Sequence, residues 1–154
     1  MAALYETHIP VTGLQVSSAF YRDVVGLVPA FAQPGRGVEF LYVGSREGGM
    51  VGLWVPGTSY GWKSKDRPAS HFAVSVTLAA LFASIPRLQN LGIKLTGFDG
   101  AIASEPSVIG WMPSAQVYFK DPDGHILEFI CNLPDQAVPS FLGGWADWQK
   151  LKRA

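Results

Sequence analysis

The sequence has a single cysteine, no long apolar run and no excess of either charge. Cys131 alone cannot close a disulfide within the chain, which fits a reducing compartment. No apolar stretch reaches the roughly 18 residues of a membrane-spanning helix, and the N-terminus lacks the basic and apolar regions of a signal peptide. Twelve basic and twelve acidic side chains argue against a nucleic acid or an anionic membrane as partner. We therefore expect a soluble, cytoplasmic protein.

Several common catalytic motifs are also missing. There is no phosphate-binding loop, dinucleotide fingerprint, Gly-X-Ser-X-Gly elbow or Cys–His nucleophile pair. What is present is a chain of 154 residues, 48% of them apolar and 16% charged, which suits one globular domain over residues 1–154.

A hairpin near the end of the chain carries the clearest local signal. The segment Gln116–Ile130 contains two apolar strands joined by the turn sequence Asp121-Pro122-Asp123-Gly124. Such a loop sets Tyr118 opposite Glu128 on the paired strand. Glu128 has an apolar residue two positions away on either side, so we expect a buried carboxylate that needs a partner or a metal. The alternative is an edge strand with Glu128 in water.

The pattern of a strand, a helix and two or three further strands occurs twice. We predict module 1 over about 4–55, a connector over 56–69, module 2 over about 70–133 and a C-terminal tail over 134–154. Residues 8–11, beginning with His8, align with residues 71–74, beginning with His71. Counting from the turn glycines Gly49 and Gly124 makes Leu53 the counterpart of Glu128.

The repeat thus predicts four equivalent positions around one concavity, and three of them hold metal-ligand side chains. His8, His71 and Glu128 form a 2-His-1-carboxylate set, and Leu53 fills the fourth position. This set suits Fe(II), Mn(II), Zn(II) or Ni(II) and leaves coordination positions open. Each histidine taken alone is more often a hydrogen-bonded structural residue than a ligand, and the turn residue His125 is expected to be structural.

Weaker candidates form the walls of the predicted site. Tyr118 shares the face of Glu128, where its hydroxyl could bond the carboxylate or a substrate oxygen, or simply fill the wall. The remaining weak candidates for substrate binding are Gln116, Leu53 and Trp111.

These residues resemble the vicinal oxygen chelate superfamily, which includes glyoxalase I, extradiol dioxygenases, and the fosfomycin and bleomycin resistance proteins. The resemblance implies an α+β fold of two paired βαβββ modules forming a cupped mixed sheet. It also implies a divalent metal at His8, His71 and Glu128, and a homodimer. Leu53 departs from the four-ligand glyoxalase I pattern. The resemblance covers about residues 4–133 and is carried by His8-Ile-Pro-Val, Phe20-Tyr21-Arg22-Asp23-Val24-Val25-Gly26-Leu27, His71 and Phe119-Lys120-Asp121-Pro122-Asp123-Gly124-His125-Ile126-Leu127-Glu128.

Three functions follow from the sequence and this resemblance, one of them a subunit or sensor domain that uses the fold for association only. The first is a metalloenzyme of lyase, isomerase, dioxygenase or thiol-transferase type, in which the metal acts as a Lewis acid on a small oxygenated substrate bound through two oxygens. The alternative is a metal-free protein of the bleomycin-resistance type that sequesters an aromatic small molecule. Retention of three ligand-type side chains favours the enzyme.

Overall fold

The computed structural model describes residues 3–153; Met1, Ala2 and Ala154 lie outside the described residues. The chain divides into two compact units. The first holds the residues up to Ser70 together with the hairpin loop Asp121–His125, and the second holds His71–Lys120 and the residues from Ile126 onward. The strand–helix–three-strand pattern occurs once in each, so the α+β class and the two βαβββ modules are confirmed.

The first unit is a four-stranded mixed sheet with one helix. Strands β1 and β4 pair in parallel, and β3 pairs antiparallel with both β4 and β2. Helix α1 continues into one π-helical turn, Tyr21–Val25, which Gly26 ends in a left-handed conformation. The elements are β1 Glu6–Pro10, α1 Leu14–Phe20, β2 Val28–Gln33, β3 Val38–Tyr42 and β4 Met50–Trp54, with sheet order β1-β4-β3-β2.

The second unit repeats this plan and adds a short strand and a helix. Parallel β5 and β8 correspond to β1 and β4, while β7 joins β8 antiparallel. Helix α2 packs against β7 and β8 with Leu81, Ile85 and Leu88 buried. The elements are β5 His71–Ser75, α2 Leu78–Asn90, β6 Ser107–Ile109, β7 Ser114–Lys120, β8 Ile126–Asn132, β9 Leu142–Gly144 and α3 Trp145–Leu151, with sheet order β5-β8-β7-β6-β9.

Two local features of the first unit are not evident from the sequence. The turn-rich stretch after Gly26 contains β2, which pairs with β3 through an irregular register at Pro29. A proline is tolerated there because β2 is an edge strand, where a residue without an amide hydrogen need not break a hydrogen bond to a neighbouring strand. Ser17 and Ser18 do not cap α1; they lie inside it and are buried, and Gly13 precedes its first turn.

The predicted hairpin is confirmed, with Tyr118 paired to Glu128 and Lys120 to Ile126. Its loop is anchored within the first unit by Asp121, which accepts hydrogen bonds from the Tyr21 hydroxyl at 2.9 Å and from the His125 amide at 2.8 Å. Asp123 accepts a 2.7 Å bond from the Thr12 hydroxyl.

His125 has the structural role expected of it, although it is fully buried rather than in solvent. Its Nδ1 accepts the Ser70 amide at 2.8 Å, and Nε2 lies 2.6 Å from the Pro10 carbonyl oxygen. Since one ring nitrogen accepts and the other faces an acceptor, both are used in holding the loop. Within residues 3–153, no helix has the length and apolar character needed to cross a membrane.

Candidate functional site

Glu128 lies in the middle of β8 and is only 7% exposed. On the same face of the sheet, His71 Nε2 is 3.2 Å from Glu128 Oε2. Tyr118 lies directly opposite Glu128 on the neighbouring strand, with its side chain on the same face. The prediction of a buried carboxylate with partners is therefore confirmed, and the edge-strand alternative is wrong.

The orientation of His71 is set by the backbone. Its Nδ1 lies 3.1 Å from the Ile126 carbonyl oxygen, which can only accept, so Nδ1 carries the proton. In the neutral ring Nε2 is then bare and faces the Glu128 carboxylate, so a proton or a cation is needed between these two acceptors. A backbone carbonyl bonded to one ring nitrogen while the other is free is the usual arrangement of a metal-binding histidine.

Burial also changes the proton affinities at this site. Burial of Glu128 raises its pKa above the ordinary value, and the charge of His71 and the Tyr118 hydroxyl partly offset that rise. Burial, followed by the charge of Glu128, raises the pKa of Tyr118 to about 12. Tyr118 is therefore a protonated hydrogen-bond donor at neutral pH.

Gln116 continues this polar face along β7, two residues before Tyr118. It is fully buried, and neither its amide nitrogen nor its amide oxygen has a hydrogen-bond partner among residues 3–153. The Ser114 hydroxyl, two residues further back, is likewise buried and unpaired within the described part of the chain. Buried polar atoms without partners are costly and are usually satisfied by water or a ligand.

In the first unit, His8 lies among aromatic rings. It stacks on Tyr60 with ring centroids 4.1 Å apart and meets Phe40 and Trp54 edge to face. The Trp54 indole N–H donates to His8 Nδ1 at 3.0 Å. His8 Nε2 is 3.5 Å from a Glu6 carboxylate oxygen.

Gly52 lies beneath this cluster and leaves no room for a side chain. A Cβ at this position would be 2.7 Å from His8 Nδ1, 2.9 Å from Phe40 Cε1 and 3.0 Å from Trp54 Nε1. Leu53 points to the opposite face, where its strand neighbour Glu39 accepts a 2.6 Å hydrogen bond from Ser18 of α1. Leu53 is fully buried there and does not share the face of His8.

Comparison with solved structures finds related folds. An integron cassette protein from the mobile metagenome of the Halifax Harbour sewage outfall is 27% identical, with a TM-score of 0.70 over 85% of this chain and 99% of that one. A lactoylglutathione lyase from Agrobacterium tumefaciens is 25% identical, with a TM-score of 0.64 over 85% of this chain and 94% of the other. A glyoxalase/bleomycin resistance protein/dioxygenase from Nocardioides is 19% identical, with a TM-score of 0.64 over 93% and 91%. The chain belongs to the vicinal oxygen chelate superfamily. No protein-family model matches the sequence, and a search of curated proteins gives no significant match.

The strand registers correct the predicted internal alignment of this superfamily member. His71 pairs with Ile126 at the start of β5 and β8, and Glu6 pairs with Met50 at the start of β1 and β4. The two parallel strand pairs also end in the same way. The Val11 amide donates to the Trp54 carbonyl oxygen in the first unit, and the Val76 amide donates to the Ile130 carbonyl oxygen in the second.

Glu6 is therefore the counterpart of His71, and His8 lies two residues further along its strand. By the same register Gly52, not Leu53, is the counterpart of Glu128. Aligning the two histidines was wrong by two residues. Glu6 and Gly52 were missed because sequence reasoning matched residue types rather than ladder positions.

The fit to the metal of vicinal oxygen chelate enzymes differs between the candidate ligands. His71 and Glu128 fit, since Nε2 of one lies 3.2 Å from a carboxylate oxygen of the other and both are donor atoms that divalent cations bind. His8 does not fit as oriented, because its Nδ1 already accepts the indole N–H. Within residues 3–153, no group of three or more His, Cys, Asp or Glu side chains could hold a metal ion. The three-ligand assignment stays a prediction.

The remaining residues are the predicted candidate Trp111 and the aromatic side chains that contact His8. Trp111 is 64% exposed after β6, and its predicted role in substrate binding stays a prediction. Trp54 and Tyr60 contact His8, and Trp54 was not predicted there. Tyr60 lies in the connector after β4, and a large aromatic residue in a polar connector was the available signal for it.

Proposed function

We propose that this chain is a vicinal oxygen chelate enzyme that acts on a small oxygenated molecule and uses His71 and Glu128 to hold a divalent metal. The observation that carries the proposal is the 3.2 Å distance between His71 Nε2 and a carboxylate oxygen of the buried Glu128. An uncompensated carboxylate at this depth costs several kcal/mol, which a bound cation would offset. One imidazole and one carboxylate suit Fe(II), Mn(II), Zn(II) or Ni(II).

A divalent ion held there would polarise substrate oxygens as a Lewis acid. The chain's own residues supply orientation. Tyr118 lies opposite Glu128 and, because its pKa is raised to about 12, keeps its hydroxyl proton at neutral pH as a hydrogen-bond donor. Gln116 places an unpaired amide on the same face, where it can bind a substrate group that both donates and accepts a hydrogen bond.

Metal content tests the proposal directly. We expect protein purified without chelator to contain stoichiometric divalent metal, and His71→Ala and Glu128→Gln each to lower the occupancy while circular dichroism shows the fold retained. Glu47→Gln is a matched control, because that carboxylate lies on an exposed turn and accepts a local hydrogen bond from the Ser45 hydroxyl at 2.8 Å. Unchanged occupancy in both site variants would remove the assignment.

The reaction class is tested by turnover. The structural neighbours are named as a lactoylglutathione lyase and as glyoxalase/dioxygenase proteins, so lyase and dioxygenase chemistry are the first to assay. Turnover of a hemithioacetal without oxygen would select the lyase, whereas turnover of a catechol only with oxygen would select the dioxygenase. A homodimer and a cytoplasmic location stay predictions; light scattering after gel filtration tests the first, and fractionation of the source cells tests the second.

A second function is favoured by the aromatic cluster around His8. Phe40, Trp54 and Tyr60 surround it, and Tyr60 is 53% exposed, which suits stacking of an aromatic ligand. A metal-free protein that sequesters an aromatic compound would use this cluster and need no cation. It predicts that aromatic ligands quench tryptophan fluorescence equally with and without a chelator. Loss of quenching on chelation would favour the enzyme.

A further inference from the structure

The proton of the His8 ring has a fixed position. An indole N–H can only donate, so the 3.0 Å bond from Trp54 Nε1 requires a bare nitrogen at His8 Nδ1. In the neutral ring the single proton then lies on Nε2. Nε2 faces the Glu6 carboxylate at 3.5 Å, which is an acceptor and favours the same tautomer.

Packing keeps the ring in this orientation. Tyr60 covers one face at an interplanar angle of 11°, and Phe40 and Trp54 close the edges at 78° and 83°. Trp54 is only 5% exposed, so its N–H has no ready substitute in water. Turning the ring over would put a C–H against the indole and leave a buried donor unpaired.

The contrast with His71 follows directly. His71 donates a hydrogen bond from Nδ1 to a backbone carbonyl, so in the neutral ring its Nε2 is the bare nitrogen that a metal ligand requires. For His8 to bind a metal through Nε2, its proton would have to move to Nδ1. Two hydrogen-bond donors, Nδ1–H and the Trp54 N–H, would then face each other without an acceptor between them. We propose that His8 is not a metal ligand but a hydrogen-bond donor of fixed tautomer, directed through Nε2 at an oxygen of the bound ligand.

The surroundings define the class of ligand. The donor is set among Phe40, Trp54 and Tyr60, which favour apolar or aromatic groups. His8 retains 19% side-chain exposure, so an incoming acceptor can compete with Glu6 for the Nε2 proton. An aromatic compound bearing a carbonyl oxygen meets both requirements. The ligand-binding part rests on the proposed function; the tautomer does not.

Nitrogen NMR tests the tautomer. Long-range proton–nitrogen correlation spectra of uniformly labelled protein at slightly alkaline pH resolve the three histidines, and His8→Gln assigns His8. We expect a protonated Nε2 and a bare Nδ1 for His8. Trp54→Phe keeps an aromatic ring but removes the donor, so a mixture of tautomers is expected. Trp111→Phe, at an exposed tryptophan, is the control and should change nothing. A proton on Nδ1 in the wild type overturns the proposal.

Titration with Zn(II) separates this proposal from the proposed metal site. We expect Zn(II) to shift the His71 nitrogen signals and leave those of His8 in place. His71→Ala should lower Zn(II) affinity by about tenfold or more, while His8→Gln leaves it unchanged. Coordination of Zn(II) by His8 overturns the inference. If Zn(II) does not bind at all, the proposed metal function fails, and the nitrogen spectra still decide the tautomer.

Two small probes test the donor. Acetophenone carries an aromatic ring and a carbonyl acceptor, and ethylbenzene has a similar shape without the acceptor. We expect acetophenone, and not ethylbenzene, to shift the His8 Nε2–H signal, and the shift to be lost in His8→Gln. Equal effects of the two probes, or none from either, overturn the donor role.

Discussion

Replacing Gly52 with alanine should destabilise the protein, although it adds only one methyl group. The new Cβ would meet three ring atoms at 2.7, 2.9 and 3.0 Å, whereas ordinary contact begins near 3.4 Å. These atoms belong to His8, Phe40 and Trp54, which are packed against one another. The rings therefore cannot all retreat by the several tenths of an ångström required, and the bond between Trp54 and His8 is the first contact to be lost.

The loss of unfolding free energy is estimated from the cost of overpacking. Forcing an extra methyl into a packed cluster costs about 1–3 kcal/mol of unfolding free energy. For a chain of 154 residues, each kcal/mol lowers the Tm by roughly 2–4 °C, so a decrease of about 2–12 °C is expected. Thermal unfolding followed by circular dichroism measures it.

Gly35→Ala is the matched control, since nothing lies within 4 Å of a Cβ there and its φ is not in the left-handed region. We expect Gly35→Ala to unfold close to the wild type. If Gly52→Ala also left the Tm unchanged, the rings of His8, Phe40 and Trp54 would have room to move apart. Steric exclusion could then not explain why no carboxylate occupies the counterpart of Glu128.

Three further predictions concern buried polar groups. Tyr21→Phe removes the 2.9 Å bond to Asp121 and should cost about 1.5–3 kcal/mol in urea denaturation, because the acceptor is a buried carboxylate, while Tyr5→Phe at the exposed Tyr5 should cost nothing measurable. Gln116→Leu deletes two unpaired buried atoms and should leave the Tm unchanged or raised; a large decrease would mean that the amide is satisfied. Glu128→Gln, compared in chelator, should stabilise the fold at neutral pH and lose that advantage in acid. Burial raises the Glu128 pKa, so the wild type is most stable below the ordinary glutamate pKa and loses stability as pH rises through the raised value. An advantage confined to acid pH would contradict this.

Local chemistry made some features predictable. The Asp-Pro-Asp-Gly turn sets the hairpin register by itself, so the pairing of Tyr118 with Glu128 could be read from the sequence. Apolar spacing of 3.6 and 2 residues likewise identified the repeated strand–helix pattern and the burial of Glu128. The edge strand β2 could not be predicted from the sequence because its residues are mostly exposed and include Pro29. It therefore has neither the alternation of apolar and polar residues nor the composition of an inner strand.

The sequence by itself therefore determined the α+β repeat, the hairpin and the buried carboxylate, because each depends on residues close together in the chain. Only the tertiary structure decided which residues are equivalent between the repeats. That equivalence depends on the parallel ladder between β1 and β4, whose partners Glu6 and Met50 are far apart in sequence, and a shift of two residues keeps every side chain on its face. The tautomer of His8 was decided in the same way, because its proton depends on an indole that the fold brings to Nδ1.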